Sequence, residues 1–201
     1  MAFSPSHYNS KFIAKHYSTW ISEKITETIN EEGDAYFVSF MFNALPGNQK
    51  TKLDIMRKEM EIFYTRLLTR CVRNTRSQIH LHKRPIFFAS PDLPVYKHNK
   101  DSLENILIND GLHMHAIIII RKSNRFKISL QDHIKQETQK YKSNTRIRTI
   151  HTVPIDKTPE KVSDYALKAI GRHFDSDAII IEHGPPPQQR RRNLIDHYVG
   201  E

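Results

Sequence analysis

The segment Gly111-Leu112-His113-Met114-His115-Ala116-Ile117-Ile118-Ile119-Ile120 constrains the fold of this 201-residue chain more than any other. A run of β-branched residues favours extended backbone, and Asp110-Gly111 before it is a turn signal. The segment therefore reads as a central strand. Residues two apart in a strand share a face, so His113 and His115 project together while Met114 turns away. Two neutral imidazoles at that separation can hold one divalent metal. The isoleucines behind them would anchor the pair in a rigid sheet, where a precise site belongs. By itself the pair is also compatible with two histidines lying on a sheet surface. His80-Leu81-His82 shows this: it sits among Arg76, Lys83 and Arg84, with no long apolar strand after it, and reads as a basic loop or strand edge.

Periodicity orders the rest of the chain. Phe12, Ile13, Tyr17, Ile21 and Ile25 space as one helix face, giving an N-terminal helical extension over residues 1–33. Residues 35–42 are rich in aromatics and read as a buried strand ended by Asn43 and Pro46-Gly47. From residue 50 to 72, Leu53, Met56, Met60, Phe63, Leu67 and Cys71 recur at three- and four-residue steps, which predicts a long amphipathic helix. Its other face carries Arg57, Lys58, Arg66, Arg70 and Arg73. Residues 85–90 predict a second strand, stopped by Pro91 and Pro94. A helix is expected over 129–140, a half-buried strand over 147–153, a helix from Pro159 to about Gly171, and a last strand over 178–181. Residues 184–201, with Pro185-Pro186-Pro187 and Arg190-Arg191-Arg192, form a basic proline-rich tail expected to stay unfolded. Strands interleaved with helices indicate an α+β fold, with helices on one or both faces of a sheet.

A net charge of +9 favours polyanionic partners, nucleic acid first and anionic membrane second. The longest apolar run, residues 116–120, is far short of the roughly 20 residues that span a bilayer. Residues 1–10 lack the apolar core of a signal peptide. The single cysteine, Cys71, excludes an intramolecular disulfide and a cysteine-only zinc site, and a cytoplasmic location is the default expectation. The basic helix face, Arg57, Arg66, Arg70 and Arg73, and Arg190, Arg191 and Arg192 of the tail are expected to supply non-specific affinity for DNA.

Asp164-Tyr165-Ala166-Leu167-Lys168 is the second chemical feature. Positions three apart on a helix are neighbours, so Lys168 stands beside Tyr165. A phenol with a pKa near 10 is a poor nucleophile at neutral pH, and an adjacent ammonium favours the phenolate or grips the phosphate under attack. An ordinary amphipathic helix with a core tyrosine and a solvated lysine has the same spacing. Tyr8-Asn9-Ser10-Lys11 repeats it where no strand precedes.

The order of these elements resembles the three-motif layout of HUH endonucleases, in particular the single-tyrosine replication initiators of plasmids, phages and small DNA viruses. The first motif corresponds to Phe37-Val38-Ser39-Phe40-Met41-Phe42, with Ser39 where a threonine is common; the second to His113, Met114 and His115; the third to Tyr165 and Lys168. The resemblance covers about residues 35–182 and implies a nuclease domain over 34–183. The implied fold is a central antiparallel sheet with flanking helices, in a ferredoxin- or RRM-like arrangement. The implied chemistry is one Mg²⁺ or Mn²⁺ ion and nicking of single-stranded DNA, leaving a 5′-phosphotyrosine and a free 3′-hydroxyl. The family adds a third metal ligand near the strand before the histidines. Asp92, which ends that strand, is the first choice, ahead of Glu104 and His98. The chain has no Gly-x-x-x-x-Gly-Lys loop, so a helicase would be a separate protein. The competing readings are a single-stranded nucleic-acid-binding module without catalysis, a transposase of the same superfamily, and a structural zinc protein. For the last, His113, His115, His151 and Cys71 match no zinc-finger spacing.

Overall fold

A computed structural model describes residues 5–75, 82–94 and 108–182, with side chains from residue 9 onward. Its elements are α1 (Pro5–Asn30), β1 (Asp34–Phe42), α2 (Gln49–Cys71), β2 (Ile86–Asp92), β3 (His113–Ile120), α3 (Leu130–Gln136), α4 (Thr138–Lys142), β4 (Ile147–Pro154), α5 (Pro159–Ala166) and β5 (Ile180–Glu182). The strands form one five-stranded antiparallel sheet in the order β4-β1-β3-β2-β5. The isoleucine-rich β3 is its middle strand, and every residue from Met114 to Ile120 is buried, so this is the α+β architecture expected from the interleaved pattern.

Helices cover both faces of the sheet, but unequally. On one face α2 lays Met56, Met60, Phe63 and Leu67 against Phe40 of β1 and Phe87 of β2; the Phe63 ring stands 4.7 Å from Phe40 and 6.0 Å from Phe87. The same face receives α3 and α4, where Tyr141 packs on Phe63 at 5.1 Å and the Tyr36 hydroxyl accepts the Leu130 N–H. On the opposite face α1 crosses β2, with Tyr17 and Trp20 against Phe88. There α5 is tied to α1, because Asp164 accepts bonds from Ser18 and Lys15. No helix among the described residues is long and apolar enough to cross a membrane.

Several boundaries differ from the expected ones for visible reasons. The buried face of α1 is Ser10, Ala14, Ser18, Ile21, Ser22, Ile25 and Thr28, whereas Phe12 is exposed. Ile21 and Ile25 of the expected stripe are buried, and small hydroxylated residues, which an apolar count passes over, make up much of the rest of the face and let the helix pack closely. Strand β2 continues through Pro91 to Asp92. The three residues of β5 pair only with Phe87, Phe88 and Ala89, which leaves Pro91 at an open edge, where strands tolerate proline. The helix expected over 129–140 is broken at Glu137 into α3 and α4. The Thr138 hydroxyl takes the Ile134 carbonyl, which a continuing helix would have used for the backbone. Helix α5 stops at Ala166 rather than near Gly171. Gly171 itself has φ of 72°, and a Cβ there would lie 2.7 Å from the Lys11 backbone, so glycine is what lets α1 pass so close.

Ile117, fully buried under the helices of the site face, and Phe12, on the solvent side of α1, give contrasting expectations. Ile117→Ala should lower the unfolding free energy by about 2–5 kcal/mol in a denaturant titration. Phe12→Ala should change it by no more than about 0.5 kcal/mol.

Candidate metal and nucleophile site

The antiparallel register between β2 and β3 pairs Asp92 with His113 and Ser90 with His115. Directly opposed residues share a face, so the carboxylate of Asp92 and both imidazoles point to the face that carries α1 and α5. Asp92 Oδ2 lies 3.0 Å from His115 Nε2 and 3.5 Å from His113 Nε2, and the two Nε2 atoms are 3.2 Å apart. Among the described residues this is the one cluster of three or more potential ligands whose donor atoms converge. His98 and Glu104 lie outside the described residues.

These separations test whether one ion fits. Ligand bonds of about 2.0–2.2 Å at angles between the octahedral and tetrahedral values place neighbouring donors about 2.8–3.6 Å apart, a range that contains all three separations. The imidazole orientations fit as well. His113 Nδ1 is 2.8 Å from the Gly111 carbonyl, which can only accept, so that nitrogen carries the proton and Nε2 offers its lone pair to the cluster. His115 Nδ1 is 3.1 Å from the Ser39 hydroxyl. A hydroxyl both donates and accepts. Ser39 therefore serves the tautomer in which Nε2–H bonds Asp92 and also the tautomer in which Nε2 is a free ligand.

The approach to His113 is set by three consecutive left-handed residues, Asn109 (φ 58°), Asp110 (φ 57°) and Gly111 (φ 75°). Asn109 tolerates this conformation because its side chain is fully used. It accepts from Leu45 N–H and donates to the carbonyl of Asn43, which ties the turn to the end of β1. The Asp110 carboxylate pairs with Lys52 of α2 at 2.7 Å. The turn signal read as Asp-Gly thus also fixes the first ligand.

Electrostatics centre on Asp92, which is 2% exposed. Burial alone would push its carboxyl up. The bonds from His115 and Lys168, with the His113 imidazole alongside, outweigh burial and hold it well below the usual carboxylate range. Burial lowers His115, more than its bond to Asp92 raises it, and so favours the neutral imidazole a metal requires. Lys168 Nζ is 2.8 Å from Asp92 Oδ2 and 4.0 Å from the centre of the Tyr165 ring. Burial would lower this ammonium, but its bonds to Asp92 and Tyr165 raise it instead and keep it charged.

The Tyr165 ring stands 5.4 Å from that of His115 and 5.8 Å from that of Phe37, and the side chain is half exposed. Of the other tyrosines with described side chains, Tyr17 of α1 packs its ring 5.5 Å from that of Phe88 on the site face. Tyr36, Tyr64 and Tyr141 are buried on the α2 side of the sheet. Burial pushes the Tyr141 hydroxyl up, and it bonds His133 at 3.0 Å. The pairing of Tyr165 with Lys168 was expected from helix spacing, yet Lys168 lies two residues past the helix end. The Ser90 hydroxyl bonds the Ala166 carbonyl, and the chain tightens there into a Lys168 N–H to Tyr165 carbonyl bond of 3.3 Å. This turn, rather than a continuing helix, brings the ammonium back over the phenol.

The structure separates the expected DNA-binding arginines from this site. Arg57, Arg66 and Arg70 belong to α2, on the far face of the sheet, and Arg73 is just beyond its end. Arg57 donates to the Asp177 carbonyl and Arg66 to the carbonyls of Lys140 and Tyr141, so both also brace the fold. Arg70 and Arg73 are exposed. Arg190, Arg191 and Arg192, like His80, lie outside the described residues. Ser39 and Phe37 were legible only as members of a motif strand. The Lys168–Asp92 pair had no sequence signal, since 76 positions separate the partners. Comparison with protein-family models, with characterised proteins and with solved structures finds no match to this chain.

The geometry predicts that Mn²⁺ binds the chain at one site per molecule in isothermal calorimetry. Simultaneous His113→Ala and His115→Ala substitution should abolish the signal. Ser39→Ala, which removes only the orienting hydroxyl, should weaken binding about tenfold to 100-fold. Unchanged heats in the double variant would refute the site.

Proposed function

We propose that this chain nicks and rejoins single-stranded DNA through Tyr165, as the single-tyrosine HUH replication initiators do. The observation that carries this reading is the juxtaposition of the half-exposed Tyr165 with the Asp92–His113–His115 cluster, with Lys168 touching both. A metal-binding cluster alone would serve many reactions, and a tyrosine alone would serve none. Together they supply a nucleophile and a place for the phosphate it attacks.

The donor set of two imidazoles and one carboxylate suits a first-row divalent ion, and of the two expected ions it matches Mn²⁺ better than Mg²⁺, which prefers oxygen throughout. Bound there, such an ion would supply positive charge to a non-bridging oxygen of the scissile phosphate. The chain's own residues do the rest. Tyr165 presents its phenol oxygen from a helix held to α1 through Asp164, so that the attacking atom is positioned before substrate arrives. That oxygen forms a bond to phosphorus as the bond to the 3′ oxygen breaks. The phenolic proton leaves to solvent and the departing 3′ oxygen takes one up, so the exchange is balanced. Lys168 keeps its charge beside the phenol, where it would offset negative charge developing on the phosphate. The phosphotyrosine retains the bond energy, so a 3′-hydroxyl can later displace it and reseal the strand.

The biological setting that follows is a cytoplasmic initiator acting at the origin of a plasmid, phage or integrated element, with a separate helicase opening the duplex. The test is incubation with a pool of single-stranded oligonucleotides and Mn²⁺, followed by denaturing electrophoresis. A DNA adduct that survives denaturation is expected from the native chain and should be absent from Tyr165→Phe, which loses one hydroxyl and little packing. Lys168→Ala should slow adduct formation by about 100-fold without abolishing it, and Lys168→Arg should recover part of the rate. An adduct on Tyr165→Phe, mapped to another tyrosine, would overturn the assignment.

A further inference from the structure

The sheet face that bears the metal cluster is only half covered. Helices α1 and α5 pack over β3 and β2, while β1 and β4 keep an open floor around Phe37, Ser39, His151 and Val153. Register places Ser39 against His151 and Phe37 against Val153 across these two strands, on the same face as His115. Ser39 and Phe37 are half-buried, and His151 and Val153 are exposed. An apolar side chain left 41% exposed at Val153, on an edge strand beside the half-exposed Tyr165, is a feature the core does not require. The floor continues into an open cleft of about 550 Å³ between the end of β4 and α5, whose walls include Phe37, Val153 and Tyr165. Lys157 and Lys161 line the same cleft, both exposed and without an ion pair among the described residues, opposed by the single carboxylate of Asp156.

We propose that this cleft and the floor leading to it bind the unpaired bases of single-stranded DNA beside the reacting phosphate. Phe37 and Val153 meet the base faces, and Lys157 and Lys161 meet the backbone. The inference rests on the nicking reading above and adds where the substrate lies. Charge and shape select the occupant. A flat apolar floor with an aromatic ring takes the face of a base, and a cationic rim takes phosphates; that pairing is the requirement for a single strand. A duplex hides its base faces and would meet the rim alone. An acidic peptide would match the rim but would leave Phe37 and Val153 without a partner. The cleft is also continuous with the site, since the Phe37 ring lies 4.8 Å from His115 and 5.8 Å from Tyr165.

The experiment measures binding of a fluorescent 12-nucleotide oligothymidine to the full chain by anisotropy, without added metal so that no cleavage intervenes. Val153→Glu should weaken binding about tenfold or more, through lost contact with bases and added repulsion. Lys157→Glu with Lys161→Glu should weaken it further and reduce the slope of log affinity against log salt by about 1.4, or about 0.7 for each lost phosphate contact. A self-complementary duplex of similar length should bind the native chain more weakly than the single strand, and Val153→Glu should narrow that difference. All three positions are exposed, and a circular-dichroism melt verifies that the variants are folded. Unchanged affinity in both folded variants, or equal affinity for duplex and single strand, would overturn the cleft. The nicking reading is scored separately by the denaturation-resistant adduct. An adduct with no effect of the cleft variants refutes only this inference. Loss of binding in the cleft variants with no adduct from any oligonucleotide supports the cleft and refutes catalysis.

Discussion

The site depends on the register in which β2 pairs with β3. Strand side chains alternate faces, so sliding β2 by one residue would move Asp92 to the α2 side and, in one direction, leave His113 opposite Pro91 and His115 opposite Ala89. The core forbids that slip. The same shift would turn Phe87 away from Phe63 and Tyr64, and would bring Phe88 into their place and away from Tyr17. Aromatic packing at the middle of the strand therefore holds the position of a carboxylate at its end. The sheet is rigid there because β3 is paired on both sides over nearly its whole length.

A buried carboxylate bonded by His115 and Lys168 is the electrostatic counterpart of that geometry. An ion pair sunk in the interior is weak support for stability, because desolvation of both charges offsets their attraction. Lys168 and Asp92 are accordingly poor candidates for a purely structural role. The fold gains little from placing them there, yet it builds a turn after α5 to do so. Near a phosphodiester the arrangement makes more sense. Asp92 gives the cluster one negative charge, Lys168 returns a positive one, and a divalent ion would leave the site net positive toward an anionic substrate.

The strands were largely legible, because β-branched and aromatic runs such as residues 35–42 and 112–120 have one dominant reading. The helix spanning Gln49–Cys71 was equally plain, with its heptad-like apolar stripe. What escaped was local hydrogen-bond competition. The Thr138 hydroxyl ends a helix that composition would have continued, and the Ser90 hydroxyl meets α5 from a strand 76 residues away. Ser18 and Ser22, which carry part of the buried face of α1, look polar in any count of hydrophobic residues. For the site, His113, His115 and Asp92 follow from strand alternation plus one assumption, that the strands ending at Asp92 and beginning at His113 are neighbours. Lys168 was placed beside Tyr165 for the wrong local reason, helix spacing, and its bond to Asp92 is a property of the tertiary fold alone.

The two sheet faces divide the work between them. The α2 face carries most of the large buried rings, Phe40, Phe63, Phe87 and Tyr141, and closes them under three helices. That closure frees the other face from having to bury everything it presents. Where α1 and α5 cover it, hydroxyl and carboxylate bonds such as Ser18–Asp164 and Ser90–Ala166 set the distance between helix and sheet. Where they stop, at the boundary between β3 and β1, the chain places His115, Phe37 and Tyr165 in mutual contact. The phenol of the proposed nicking reaction would need this boundary. Deep under a helix it would be desolvated and held neutral, as Tyr141 is. On the open floor it would lack the charged partners that activate it. At the edge of the covered half it keeps solvent and substrate access on one side and Lys168 on the other.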